Sequence, residues 1–239
     1  TILTPSVKFW DEYVYLLNGE YLSGEGQSYE PIRPPILPLM ISAYYWLGIK
    51  WLLPTLPLIN TILLLLTTNE LSKEFTKKKH AIILLLSSPL LLFYATKQLT
   101  GILATTIMTA SILFMKKHVT KGKKTHLYTS YALAAITTLT RYPLGLSYGV
   151  ITILYWFYKK KKNLKEQLIS HGAYWGIITT GATLIGLDNL QTALKYASSP
   201  TSPLTYVTSL PLLLGATILL SYKLLKKPTR QDYWLIIPL

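Results

Sequence analysis

Apolar residues along this chain fall into long uniform blocks rather than into the alternation of an amphipathic soluble fold. A membrane-spanning helix takes about 20 mostly apolar residues, and somewhat fewer inside a bundle. On that measure the pattern predicts seven spans, near 51–72, 80–96, 99–115, 125–140, 144–158, 168–187 and 204–222, with an eighth beginning at 233. Pro54, Pro57 and Pro211 fall inside or near the start of spans, where neighbouring helices can re-satisfy the freed backbone groups. Residues 1–50 read differently. Between Glu12 and Leu22, the side chains of Tyr13, Leu16, Leu17 and Tyr21 recur at helical spacing and predict a short amphipathic helix lying on the membrane. After a turn rich in glycine, Pro34 and Pro35 fix an extended entry to a second short helix, about 36–47. Its Tyr44, Tyr45 and Trp46 suit the boundary between lipid and water. The expected fold is therefore all-α: an outward first loop with juxtamembrane helices over 1–50, then a polytopic transmembrane helix bundle over 51–239.

Charge gives this bundle a direction. The net charge is +14, with 24 basic and only 10 acidic residues. The lysines form tight runs between the apolar blocks and do not interleave with aromatic residues, so nucleic acid is not the expected partner. Lys73 and Lys77 to Lys79 follow the first span, and Lys116 to Lys124 follow the third. Lys159 to Lys165 follow the fifth, and Lys223 to Arg230 follow the seventh. These alternate connections carry 18 of the 24 basic residues and lie on one side, which the positive-inside rule makes cytoplasmic. Residues 1–50, the turns at 96–100 and 141–143 and the loop 188–203 then face outward, in a multi-pass protein of the cell membrane.

The chain contains no cysteine, which excludes disulfides and thiolate metal sites. His80, His118, His126 and His171 form no ligand spacing, so no cofactor is expected; a divalent metal is left open without a motif to hold it. No glycine-rich phosphate loop points to a nucleotide. The adjacent acids Asp11 and Glu12 open the first short helix. They serve either the helix dipole or as a general base at the water–lipid boundary, and the pair alone does not separate these roles.

The order of features does. Asp11-Glu12, Tyr15, a glycine-bearing turn, Arg33-Pro34-Pro35 and an aromatic helix ending in Leu47-Gly48 together resemble the first outward loop of membrane glycosyltransferases with the GT-C fold. The resemblance is to the branch that uses polyprenyl-phosphate sugars, the protein mannosyltransferases and aminoarabinose transferases. Ser88-Pro89 followed by Leu99-Thr100 matches that family's second outward turn, and Leu139-Thr140-Arg141-Tyr142-Pro143 resembles its Leu-Thr-Lys/Arg-x-Pro motif. Two departures stand out: Leu47-Gly48 lacks the family's Phe, and Gly101 stands where the family usually has an acid. The resemblance also implies a first span before Asp11 and further spans after the apolar ending, so the chain is expected to be a fragment.

The resemblance implies inverting transfer of a sugar from a polyprenyl (dolichyl-like) phosphate to a protein, lipid or glycan acceptor on the outer face. Asp11 is the candidate base, with Glu12 beside it. Arg33, Arg141 and Lys97 are candidates for the donor phosphate, which a guanidinium grips with a planar fork. Tyr15 and Glu30 are candidates for contact with acceptor or sugar. Competing roles are plain for several of these: Arg33 can pair with Glu30, and Arg141 and Lys97 can anchor helix ends at the interface. Two other functions remain open. One is a transporter or flippase of a lipid-linked substrate, for which ionisable residues would be expected mid-span. The other is a non-catalytic member that binds the lipid carrier.

Overall fold

The computed structural model describes residues 10–30, 33–74, 91, 93, 95–145, 148–149, 151–152, 155 and 164–185. All lie in one compact unit, Thr1–Leu190; a second unit, Gln191–Leu239, is outside the described residues. The spans expected at 204–222 and from 233, and much of those at 80–96 and 144–158, are likewise outside them.

The described residues are helical, with no strand among them. Helix α1 is Trp10–Ser23 and α2 is Ile36–Trp46. A 3-10 turn, Lys50–Thr55, leads into α3, Leu56–Lys73. Then come α4, Thr100–Lys121, and α5, Lys124–Thr140. A second 3-10 turn, Tyr142–Gly145, and α6, Leu164–Ile185, complete the set. Two stretches are long and apolar enough to cross a membrane: Lys50–Lys73, with 24 residues, and Thr100–Lys121, with 22. At 1.5 Å per residue, a 20-residue helix already covers the roughly 30 Å hydrocarbon core.

Local sequence accounts for the ends of these helices. Pro35 is not extended as expected but already helical, at φ −80° and ψ −20°, and α2 begins at the next residue. Pro54 sits inside the first 3-10 turn and Pro57 in the first turn of α3, where a missing N–H costs nothing. Gly122 terminates α4 at φ 70°, a left-handed position that a glycine adopts without strain. Between α4 and α5 the helices meet on small residues. Ser111 Oγ donates to the Ser130 carbonyl at 2.7 Å, and Ser130 Oγ donates to the Ser111 carbonyl at 2.8 Å. Such reciprocal side-chain bonds let two helix backbones approach closely. Thr106 Oγ1 reaches the Asn60 carbonyl at 3.3 Å and ties α4 to α3.

Helix α1 forms where expected, and it packs on the protein through the side opposite to the one expected to lie on the membrane. Glu12, Val14, Tyr15, Asn18 and Gly19 are buried, whereas Tyr13 and Tyr21 are exposed. The buried face meets α2 because Gly19 admits it: a Cβ there would collide with Ile41. Tyr15 joins Leu37, Ile41, Leu53, Leu56 and Leu103 in one apolar cluster. The helix therefore carries two apolar faces, one turned to the protein and one left outside.

The bundle has two distinct ends. At one end, Lys124 Nζ lies 3.2 Å from Glu166 Oε1, and Lys73 Nζ pairs with Glu70 Oε1. Lys124, which opens α5, and Glu166, in the first turn of α6, thus lie together at the end where α4 stops at Gly122. At the other end, the N-terminus of α4 and the C-terminus of α5 meet the segment that carries α1 and α2.

Candidate functional site

The second end collects most of the residues singled out from the sequence. Asp11 and Tyr15 lie four residues apart on α1, one helical turn, and so share a face. Arg33 reaches back from the turn before α2 and places Nη2 2.7 Å from Asp11 Oδ1. Its Nε is 3.7 Å from Glu30 Oε1. Arg33 thus takes both acids, Asp11 at the shorter distance. Asp11 keeps a side-chain exposure of 49 %, so the ion pair orients its carboxylate without closing it off. Glu30 is fixed by its backbone: Asn18 Nδ2 donates to its carbonyl at 2.8 Å, and its N–H donates to Asn18 Oδ1 at 2.8 Å. Asn18 is fully buried, which makes this two-bond clamp the hinge pin of the loop between α1 and α2.

Tyr15 links α1 to α4. Its hydroxyl is 3.5 Å from Thr100 Oγ1. Burial pushes this phenol above its usual range; the Thr100 bond and Arg33 pull it down, Asp11 pushes it up and Arg141 pulls it down. The charges of Asp11, Arg33 and Arg141 therefore converge on one hydroxyl. Arg141 follows the last residue of α5, with an extended backbone whose N–H still bonds the Thr137 carbonyl at 2.9 Å. Its side chain is exposed and, among the described residues, meets no carboxylate. A Cβ placed on Gly101 would find only Arg141 Nη1, at 3.7 Å. The position where an acid was expected is thus open space beside a guanidinium.

Glu12 and Lys97 stand apart from this group. Glu12 is 6 % exposed and points a third of a turn away from Asp11, where Oε1 accepts the Gln98 N–H at 2.9 Å. Gln98 in turn donates through Nε2 to the Leu53 carbonyl. Glu12 thereby ties α1 to the loop before α4 and to the turn before α3. Lys97 is 5 % exposed, with its ammonium 5.7 Å from the Phe93 ring centre. It is not among the charges that act on Tyr15.

Two residues of this end were not singled out from the sequence. Tyr142 follows Arg141, and burial pushes its phenol up to about 12, with Tyr29 and Tyr15 adding to the shift. Tyr29 precedes Glu30 and is raised by burial, with Tyr21 adding. The signal for Tyr142 lay in its place inside Thr140-Arg141-Tyr142-Pro143; nothing in the local sequence pointed to Tyr29. Among the described residues, no three His, Asp or Glu side chains converge as a metal site would require.

The arrangement offers an oriented carboxylate, an exposed guanidinium and neutral hydroxyls within one end of the bundle. Such a set can take a proton at Asp11 and hold an anion at Arg141. No protein-family model, curated protein or solved structure matches the chain.

Proposed function

We propose that this chain is part of a polytopic membrane glycosyltransferase of the GT-C type, which moves a sugar from a polyprenyl-phosphate donor to an acceptor on the outer face of the cell membrane. The observation that carries the reading is the Arg33–Asp11 ion pair at 2.7 Å, at the same end as Tyr15, Thr100 and the Arg141 guanidinium beside Gly101 and away from Lys124 and Lys117. Two stretches fit to cross a membrane start at that end, so an anion held there sits at headgroup depth.

In the proposed reaction an acceptor O–H or N–H attacks the anomeric carbon. The new bond forms as the bond from that carbon to the phosphate oxygen breaks, and configuration inverts. Polyprenyl phosphate leaves with the electron pair, and the acceptor proton goes to Asp11. Arg141 stabilises the charge that grows on the departing phosphate. Arg33 holds Asp11 in place and supplies a second cation nearby.

Gly101 favours a second reading, in which the same groups bind the lipid carrier and no transfer follows. A family acid at that position would lie against Arg141, and this chain has none.

The donor role of Arg141 is tested by equilibrium binding of a polyprenyl phosphate to the protein in nanodiscs. Arg141→Ala is expected to weaken binding about 10- to 100-fold, the size of one or two charge-assisted bonds. Arg141→Lys should keep part of the affinity, since a point charge still attracts phosphate. Gly101→Ala should change nothing, because its Cβ meets only Nη1 at ordinary contact distance. Unchanged binding by Arg141→Ala would leave this residue as an interface anchor.

A further inference from the structure

The phenols of Tyr29 and Tyr142 have no place in the reaction just described. Their hydroxyl oxygens are buried, yet among the described residues neither makes a hydrogen bond. Arg33 Nε shares this state, with only the 3.7 Å approach to Glu30. Buried polar atoms in folded proteins are almost always bonded, and each exception calls for a cause, such as strain, a functional role or a bound water or ion. Five such unbonded atoms, on Tyr29, Tyr142, Arg33, Glu12 and Gln98, gather at this end of the bundle, while those of Asn60, Asn69, His126 and Gln167 are scattered elsewhere.

Their chemistry differs from that of the two arginines. Burial raises both phenols, so each remains a neutral hydroxyl that can donate one hydrogen bond and accept others. A neutral phenol can donate to a phosphate oxygen, but the guanidiniums already serve that group. The phenols match neutral hydroxyl groups, each of which is also donor and acceptor. Both are held in fixed places. Tyr29 adjoins Glu30, which Asn18 clamps on both sides, and its ring lies 5.3 Å from that of Tyr21. Tyr142 opens the short 3-10 turn that follows Arg141. Tyr29 and Tyr15 both act on the Tyr142 phenol, so the two unbonded hydroxyls belong to the same end as Arg141 and Asp11.

We propose that Tyr29 and Tyr142 bind the ring hydroxyls of the sugar carried by the lipid phosphate, and so distinguish the sugar-loaded carrier from the bare one. This inference rests on the lipid-phosphate reading of the site and deepens it: Arg141 takes the part of the ligand common to both forms, and the two phenols read the part that differs.

The experiment compares two probes, a short-chain polyprenyl phosphate and the same lipid bearing a hexose, bound to the protein in nanodiscs. The variants are Tyr29→Phe, Tyr142→Phe and the double substitution, which keep the rings and remove only the hydroxyls. The parent is expected to bind the hexose form more tightly. Each single variant should lose roughly 3- to 10-fold of that preference while binding the bare phosphate as the parent does. Retained binding of the bare phosphate also certifies that a variant is folded. If the double variant keeps the parent's full preference, the phenols do not read the sugar and the inference fails while the phosphate site stands. If the parent prefers neither form yet binds both, the inference fails in the same way. If the parent binds neither probe, the lipid-phosphate reading itself is overturned, and the inference with it.

Discussion

Two adjacent carboxylates in this chain do different work, and a single helix explains why. Neighbours on a helix point about 100° apart, so Asp11 faces Arg33 and the water while Glu12 turns into the protein. A buried acceptor that satisfies a buried N–H is a structural element, and its loss leaves that N–H unmatched. Glu12→Ala is therefore expected to cost about 1–3 kcal/mol of stability. Glu12→Gln, which keeps an oxygen for the Gln98 N–H, should cost less. Thermal or denaturant unfolding in detergent reads both, and equal stability of the Ala variant with the parent would remove Glu12 from its place as a tie. The sequence showed the acidic pair but not this division. The partner of Glu12 is 86 positions away, and no local spacing reveals a contact of that range. Arg33 shows the same limit. Glu30, three residues before it, is the partner that spacing suggests, and Asp11 is the one it approaches more closely.

At the scale of elements, helix positions were legible because their signals are local. Pro34 and Pro35 mark the start of α2, and apolar blocks of sufficient length mark α3 and α4. The side of α1 that packs on the protein was not legible. Its apolar periodicity points to Tyr13 and Tyr21, whereas Gly19, which carries no hydrophobic signal, decides where α2 packs. The direction of the bundle follows from alternation of ends, with Lys117 and Lys124 at one end and Arg141 at the other. With no native cysteine in the chain, single cysteines at Ser28 and Lys123 read that direction cleanly. An impermeant thiol reagent on intact cells is expected to label Ser28→Cys and to reach Lys123→Cys only after permeabilisation. The reverse pattern would turn the proposed site to the cytoplasm and exclude an outward lipid-linked donor.

For the whole molecule, the proposed chemistry depends on a base and a phosphate-binding cation supplied by distant parts of the chain and joined at one end of the bundle. Asp11 comes from α1 and Arg141 from the end of α5, and both charges act on Tyr15, which contacts Thr100 of α4. The most direct test of this convergence is transfer itself, measured with full-length protein in liposomes as release of sugar from a labelled polyprenyl-phosphate hexose to an acceptor. Asp11→Asn keeps the shape and removes the basicity. An acid that serves only the helix start contributes about 0.3–1 kcal/mol, and Asn replaces it with little loss. An acid that takes the acceptor proton typically contributes about 10²–10⁴-fold in rate. The Asn variant is expected to fold, to bind the donor as the parent does, and to turn over about 10²–10⁴ times more slowly. Parent-level turnover by Asp11→Asn would contradict Asp11 as the base, and absence of transfer by the parent would contradict the proposed function.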